Sequence, residues 1–297
     1  MIPFLIYAYL IFANMDTPLL TKQTNTLNLL VVSDTHGYYQ MLDKLEAWVN
    51  ATKPTIDYVI FPGDFTNIFP NETSDPTKVK DAETMVLKTV AMLSSISKTQ
   101  VIYIPGNHEP PSQYNGELKP VGGKNIHKSF IKIADNLVII GQGGSLPGMQ
   151  VINGKNTQIW EPFPYKTDED YRKDLEPNLN SAFALSPDYD YILLTHIGPI
   201  NSSTAIMNQL NANPVYSGSQ YLADALFKYQ DRIVCNIHGH THTCDGKQKF
   251  TSKTMEVINP GAMKLGYFAT MQLVKKANGH WRLNDVNFHC IDDNPVE

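Results

Sequence analysis

Five apolar runs in this chain each end in an aspartate, an asparagine or a histidine: LNLLVVSDTHG (27–37), YVIFPGD (58–64), VIYIPGNH (101–108), YILLTHIGP (191–199) and IVCNIHGHTH (233–242). Short runs of Leu, Ile, Val, Phe and Tyr bounded by Gly and Pro predict buried strands. In open α/β sheets the carboxyl ends of the strands share one rim, and ligands bind there. A chain with five such exits is therefore constrained to bring several polar side chains to one edge of its sheets.

The intervening segments fit this picture. Met41, Leu42, Leu45, Trp48 and Val49 share one face of a predicted helix over 39–49, and 77–96 is the longest helical candidate. Further helices are predicted over 169–185 and 220–229, and a hairpin around IKIADNLVII. The segments TMEVI, FATMQLV and WRLNDVNF add strands near the end. Strands alternating with helices early and clustering late predict an α/β domain with a partly parallel sheet and an added antiparallel portion.

Taken singly, the motifs are ordinary. Asp34 and His36 point the same way on an extended chain, yet a capping aspartate beside a surface histidine does the same. Gly63-Asp64 reads as a turn, Asn107 as a strand end, and His196 as a half-buried histidine. His240 and His242 form the sharper pair. Taken together, two carboxylates, one amide oxygen and four imidazoles at strand exits point to bound metal. Mixed nitrogen and oxygen donors suit Mn, Fe, Zn or Co rather than Ca. The cysteines Cys235, Cys244 and Cys290 stand outside the set, which argues against a closed structural zinc site.

In order, Asp34-Thr35-His36, Gly63-Asp64, Gly106-Asn107-His108-Glu109, His196 and Gly239-His240-Thr241-His242 resemble the signature of the calcineurin-like metallophosphoesterases. The resemblance runs from residue 27 to about 272 and implies a four-layer αββα sandwich of two mixed β-sheets flanked by helices. It also implies two divalent ions. One would take Asp34, His36, Asp64 and His242, and the other Asp64, Asn107, His196 and His240, with Asp64 bridging. Phosphate esters, diesters favoured, would then be hydrolysed by a metal-bridged hydroxide. His108 would be the catalytic residue, stabilising the transition state or protonating the leaving oxygen, with Glu109 solvated rather than tuning it. His238 precedes the glycine, where the family has no ligand, and is expected to orient one instead.

Asn67 stands where the protein phosphatases of this group carry an aspartate and the purple acid phosphatases a tyrosine, so the chain is more similar to the small phosphodiesterase-like members. Specificity is expected in the loops 110–124 and 143–165, with Trp160, Phe163 and Tyr165 packing rather than stacking on substrate. The other readings are a phosphomonoesterase or protein Ser/Thr phosphatase, and a non-catalytic metal-binding scaffold.

A net charge of −5 without a Lys/Arg run disfavours nucleic acid as a partner, and a nuclease on the same fold with it. A small phosphate ester is the expected partner. Residues 1–24 form an N-terminal segment ahead of a domain over 25–290. Its apolar stretch 2–13 is too short for a bilayer, which takes about 20 residues. It reads as a weak signal-like stretch or as an extension ahead of a start at Met15, and a cytoplasmic location is expected.

Overall fold

The computed structural model describes residues 24–207, 213–243, 245–250 and 255–292. The expectations for residues 1–23 and for Cys244 lie outside these. The first half runs β1 (Thr26–Val31), α1 (Tyr39–Thr52), β2 (Tyr58–Phe61), α2 (Pro76–Ser97), β3 (Val101–Tyr103), α3 (Pro111–Tyr114) and β4 (Gly123–Asn125). The middle follows with β5 (Ser129–Ala134), β6 (Leu137–Gln142), β7 (Gly148–Ile152), β8 (Lys155–Trp160) and α4 (Asp168–Phe183). The rest is β9 (Asp190–Thr195), β10 (Ile206–Met207), β11 (Val215–Tyr216), α5 (Gln220–Lys228), β12 (Ile233–Ile237), β13 (Gly246–Lys249), β14 (Glu256–Asn259), β15 (Tyr267–Lys275) and β16 (Trp281–Cys290).

Two mixed sheets result, in the orders β16-β15-β1-β2-β3-β4 and β13-β14-β12-β9-β6-β5. The strands from β1 to β4 run parallel, and β15 and β16 add the antiparallel edge that the clustered late strands predict. β6, β9, β12 and β14 are likewise parallel.

The apolar runs have no polar alternation because both faces of these strands are covered. Leu27, Leu29 and Val31 of β1 enter the core between the sheets, with Ile60 of β2 and with Ile192 and Leu194 of β9. Their neighbours Leu30, Val59 and Phe61 point the other way, against Leu42 and Leu45 of α1 and Val86, Val90 and Leu93 of α2. On the far side, Tyr191 and Leu193 meet Leu175 and Leu179 of α4 and Leu222 and Leu226 of α5. The layers are helix, sheet, sheet, helix. Each fully buried Leu, Ile or Val contributes about 1.5–3 kcal/mol. A one-residue slip in a strand would exchange its two faces and lose both sets of contacts.

One element is new. β10, β11, β7 and β8 form a small third sheet, with β7 and β8 joined at Asn153-Gly154. Both turn residues have positive φ, 51° and 74°, as a tight hairpin requires. Asn-Gly between two short runs is a hairpin signal legible in the sequence. Among the described residues, no helix is long and apolar enough to cross a membrane.

Candidate metal centre

The strand exits meet at one rim. Asp34 and Asp64 follow β1 and β2, Asn107 follows β3, His196 directly follows β9, and His240 and His242 follow β12. The first two loops are joined through their backbones: the N–H groups of Asp34 and His36 donate to the carbonyls of Gly63 (3.0 Å) and Asp64 (3.1 Å). Four of the candidate ligands hold the left-handed conformation, with φ of 53° at Asp34, 47° at His36, 62° at Asp64 and 69° at His240. Such residues are strained and collect at functional sites. Here the turn lets the chain leave the strand and still aim a side chain back over the sheet end.

Glycines let these loops approach so closely. A Cβ on Gly106 would lie 2.2 Å from Asp64 Oδ1, and one on Gly239 would lie 2.5 Å from Asp34 Oδ2.

Two donor groups are brought together. Asp34, His36, Asp64 and His242 form one; Asp64, His196 and His240 form the other, and Asp64 belongs to both. His36 Nε2 is 3.1 Å from His242 Nε2 and 3.6 Å from Asp64 Oδ2. His242 Nε2 is 3.4 Å from Asp34 Oδ1. On the other side, His196 Nε2 is 3.4 Å from Asp64 Oδ2 and 3.0 Å from Asn107 Oδ1, which places Asn107 in the second group.

Second contacts set the imidazole tautomers. His36 Nδ1 faces the Thr66 carbonyl (3.0 Å) and Asn67 Oδ1 (2.7 Å), and a carbonyl oxygen can only accept. His196 Nδ1 faces the Pro62 carbonyl at 2.9 Å. In both rings Nδ1 therefore carries a hydrogen, and Nε2 is the nitrogen turned to the carboxylates. His240 Nε2 is buried without a hydrogen-bond partner among protein groups. Converging lone pairs, an orphaned imidazole nitrogen and two buried carboxylates fit a divalent cation.

The electrostatics agree. Burial would raise the Asp34 carboxyl, but the hydrogen bond and charge of His242 outweigh it and hold it at about 2. Burial opposes ionisation of Asp64 as well, yet His196 and His108 keep its carboxyl well below the usual range. Burial pushes His36 down to about 4. His196 goes the other way: the Asp64 carboxylate overrides burial and lifts it to about 9. The field beside Asp64 favours a positive charge.

His238 is wholly buried and belongs to neither group. Its Nδ1–H donates to the Gly239 carbonyl (2.9 Å) and its Nε2 accepts from the Thr204 hydroxyl (2.8 Å). It steadies the turn that delivers His240, so the three histidines of this stretch differ in their contacts.

Glu109 is a correction. It is fully buried, not solvated, and accepts from the backbone N–H groups of Asp64 (3.3 Å), Phe65 and Gly106. It ties the loop of Asp64 to the loop of Asn107. Burial, with the nearby Asp64 charge, pushes its carboxyl up to about 8.

His108 is half-buried, its backbone N–H donates to Asp64 Oδ1 (3.0 Å), and its ring lies edge-on to Phe69 (5.1 Å). It lines a cleft of about 550 Å³ with Asp64, Asn107, His240 and His242. Phe69, Glu72, Ile159, Trp160, Glu161 and Met207 complete most of the wall. Residues 110–124 are absent from it, against expectation; residues 69–72 take their place, signalled only by the exposed Phe69 before a proline. Tyr165 packs in the core as expected. Phe163 packs on Tyr114 at 5.1 Å. Trp160 packs edge-on to His240 at 5.3 Å and also faces the cleft.

Asn67 was legible only as a departure from other subfamilies. It accepts from His36 Nδ1 and donates to the His36 carbonyl (3.1 Å), clamping that residue at both ends. Asn67→Ala should weaken divalent-metal affinity by about tenfold, because the ring loses the nearer of the two oxygens that orient it and keeps only the Thr66 carbonyl. Titration with chelator-buffered Mn²⁺ measures this, and an unchanged affinity would refute the clamp.

The calcineurin-like phosphoesterase model matches residues 27–244. TT1561 of Thermus thermophilus is 17% identical, covering 90% of this chain and 100% of that one, with a TM-score of 0.55. A putative 5′-nucleotidase from Staphylococcus aureus is 16% identical, covering 92% of this chain but 56% of its own, with a TM-score of 0.54. The phosphopantetheinyl hydrolase of Mycobacterium tuberculosis is 16% identical over 81% of this chain and 91% of its own, with a TM-score of 0.51. These likenesses show a shared fold. No curated protein sequence matches the chain. With most of its length matched and the motifs gathered at one rim, the chain belongs to the calcineurin-like phosphoesterases, a family of metal-dependent phosphoric ester hydrolases.

Proposed function

We propose that this protein hydrolyses small phosphodiesters with two divalent ions, one held by Asp34, His36, Asp64 and His242 and the other by Asp64, Asn107, His196 and His240. The observation that carries this reading is Asp64, the member common to both donor groups. When bound, such ions supply Lewis-acid charge to the phosphoryl group and make water a stronger acid. The donor set leaves that charge in excess, since the two aspartates offset only half of it and Asn107 adds none.

His108 acts on the leaving group. Its Nδ1 lies 3.3 Å from the Ile68 carbonyl and donates to it. As an imidazolium the ring would hand the proton on its other nitrogen to the departing oxygen and remain a neutral imidazole with its hydrogen on Nδ1.

The cleft wall supports a diester. Among its described lining residues there is no Lys or Arg; Glu161 adds negative charge, and Glu72 is paired with Lys78. A monoester dianion would find no lysine or arginine among these lining residues, whereas a diester carries one charge and a second substituent to lay along Phe69, Ile159 and Trp160.

The test is a pair of initial rates on an aryl phosphodiester and the matching monoester, using protein stripped of metal and reloaded with Mn²⁺. The diester should be the faster substrate. A monoester preference would move the assignment to phosphomonoesterase or phosphoprotein chemistry. Inactivity on both with metal bound would favour a scaffold.

A further inference from the structure

Two aromatic rings overlook the metal cleft, one beside each donor group. Phe69 stands edge-on to His108 at 5.1 Å, and the His108 ring is 5.3 Å from that of His36 in the first group. Trp160 stands edge-on to His240 of the second group at 5.3 Å. Phe69 is exposed and Trp160 half-buried, so both keep ring surface open to the cleft they line.

The β8 wall is shaped by a bulge. Gly148 of β7 pairs with Trp160 and Met149 with Gln158, which leaves Ile159 without a partner. A bulge of this kind re-aims side chains, and here the consecutive residues Ile159, Trp160 and Glu161 all line the same cleft. The glycine opposite Trp160 is needed: a Cβ on Gly148 would lie 2.7 Å from the indole ring.

Charge separates this wall from the floor. Glu161 is exposed and enters no ion pair among the described residues, whereas Glu72 is taken by Lys78. The described wall holds no Lys or Arg. It therefore offers aromatic rings and one uncommitted carboxylate, while the floor becomes positive once ions are bound. The face of an aromatic ring attracts a cation, most of all a weakly hydrated ammonium. A negative substituent would be repelled by Glu161, and an uncharged one would gain nothing from it. A ligand with a negative phosphoryl group and a positive arm matches both surfaces.

We propose, on the phosphodiesterase reading above, that the substrate is a zwitterionic diester whose second substituent bears an ammonium group, held against Trp160 and Phe69 and paired with Glu161.

The test uses Mn²⁺-loaded protein and three diesters that share a nitrophenolate leaving group. Their second substituents are choline, neohexyl (the uncharged carbon isostere of choline) and thymidine. The kcat/KM for the choline ester should exceed that for the neohexyl ester by about tenfold, and the ratio should shrink as salt is added. Glu161→Gln and Trp160→Leu should each lower the ratio to about threefold. A ratio taken within one variant cancels any general loss of folded or metal-loaded protein. Equal rates on the choline and neohexyl esters would overturn the proposal, as would a ratio that neither variant moves. A thymidine ester faster than both would make the substituent a nucleoside and overturn it too. Hydrolysis of none of the three would instead refute the phosphodiesterase reading. Isothermal titration with phosphocholine and with neohexyl phosphate then decides the ammonium subsite by itself. Tighter binding of phosphocholine, lost in Glu161→Gln, would uphold it, and equal binding would overturn it.

Discussion

Asp64→Asn should lower hydrolysis by about 10³-fold or more, equivalent to at least about 4 kcal/mol of lost transition-state stabilisation. Asparagine is the informative substitution because it tolerates the positive φ of 62° at this position. It therefore separates the loss of charge from the loss of fold. An amide has a single oxygen and no charge, so it cannot serve two cations as a carboxylate does. The variant should retain one ion per chain at most, measured by elemental analysis after gel filtration. Full activity in Asp64→Asn would contradict a bridging role.

His108→Ala should lower turnover by about 10²–10⁴-fold and leave metal content unchanged. The ring lies outside both donor groups, so its removal takes no ligand from either. Its neighbours Phe69 and Ile68 lose one edge contact and one hydrogen bond, which the fold tolerates at a half-buried position. The loss should also depend on the leaving group. A nitrophenolate departs without a proton, whereas an alkoxide needs one, so the variant should be hurt more on alkyl esters than on nitrophenyl esters. Equal losses on both would assign His108 to charge stabilisation instead. Loss of metal from the variant would remove the role altogether.

The main lines of the fold and of the candidate site were legible because they are local in sequence. Each strand announces itself as an apolar run, and each candidate ligand sits within a few residues of its end, so order along the chain carries the geometry. What escaped was set by distant contacts. Glu109 looks like a surface residue beside His108, and only the approach of the Asp64 loop supplies the N–H groups that bury it. The cleft wall escaped for a similar reason. Ile159 and Trp160 reach it because the Asn153-Gly154 hairpin folds β8 back on β7, and β7 pairs with β11 from far along the chain. Asn259 is another instance, read only as part of a closing segment. It donates to the Thr204 carbonyl (3.2 Å) and Thr241 carbonyl (2.9 Å) and accepts from the Gly261 N–H (2.9 Å), binding three loops under the metal centre. No spacing rule reveals such a residue, because its partners are 18 and 55 positions away.

The most direct test of two ions sharing Asp64 is a titration of metal-stripped protein with Mn²⁺, following hydrolysis of the aryl diester at each addition. Activity should stay low through the first equivalent, rise through the second and saturate at two ions per chain. Saturation at one equivalent would contradict the dinuclear centre.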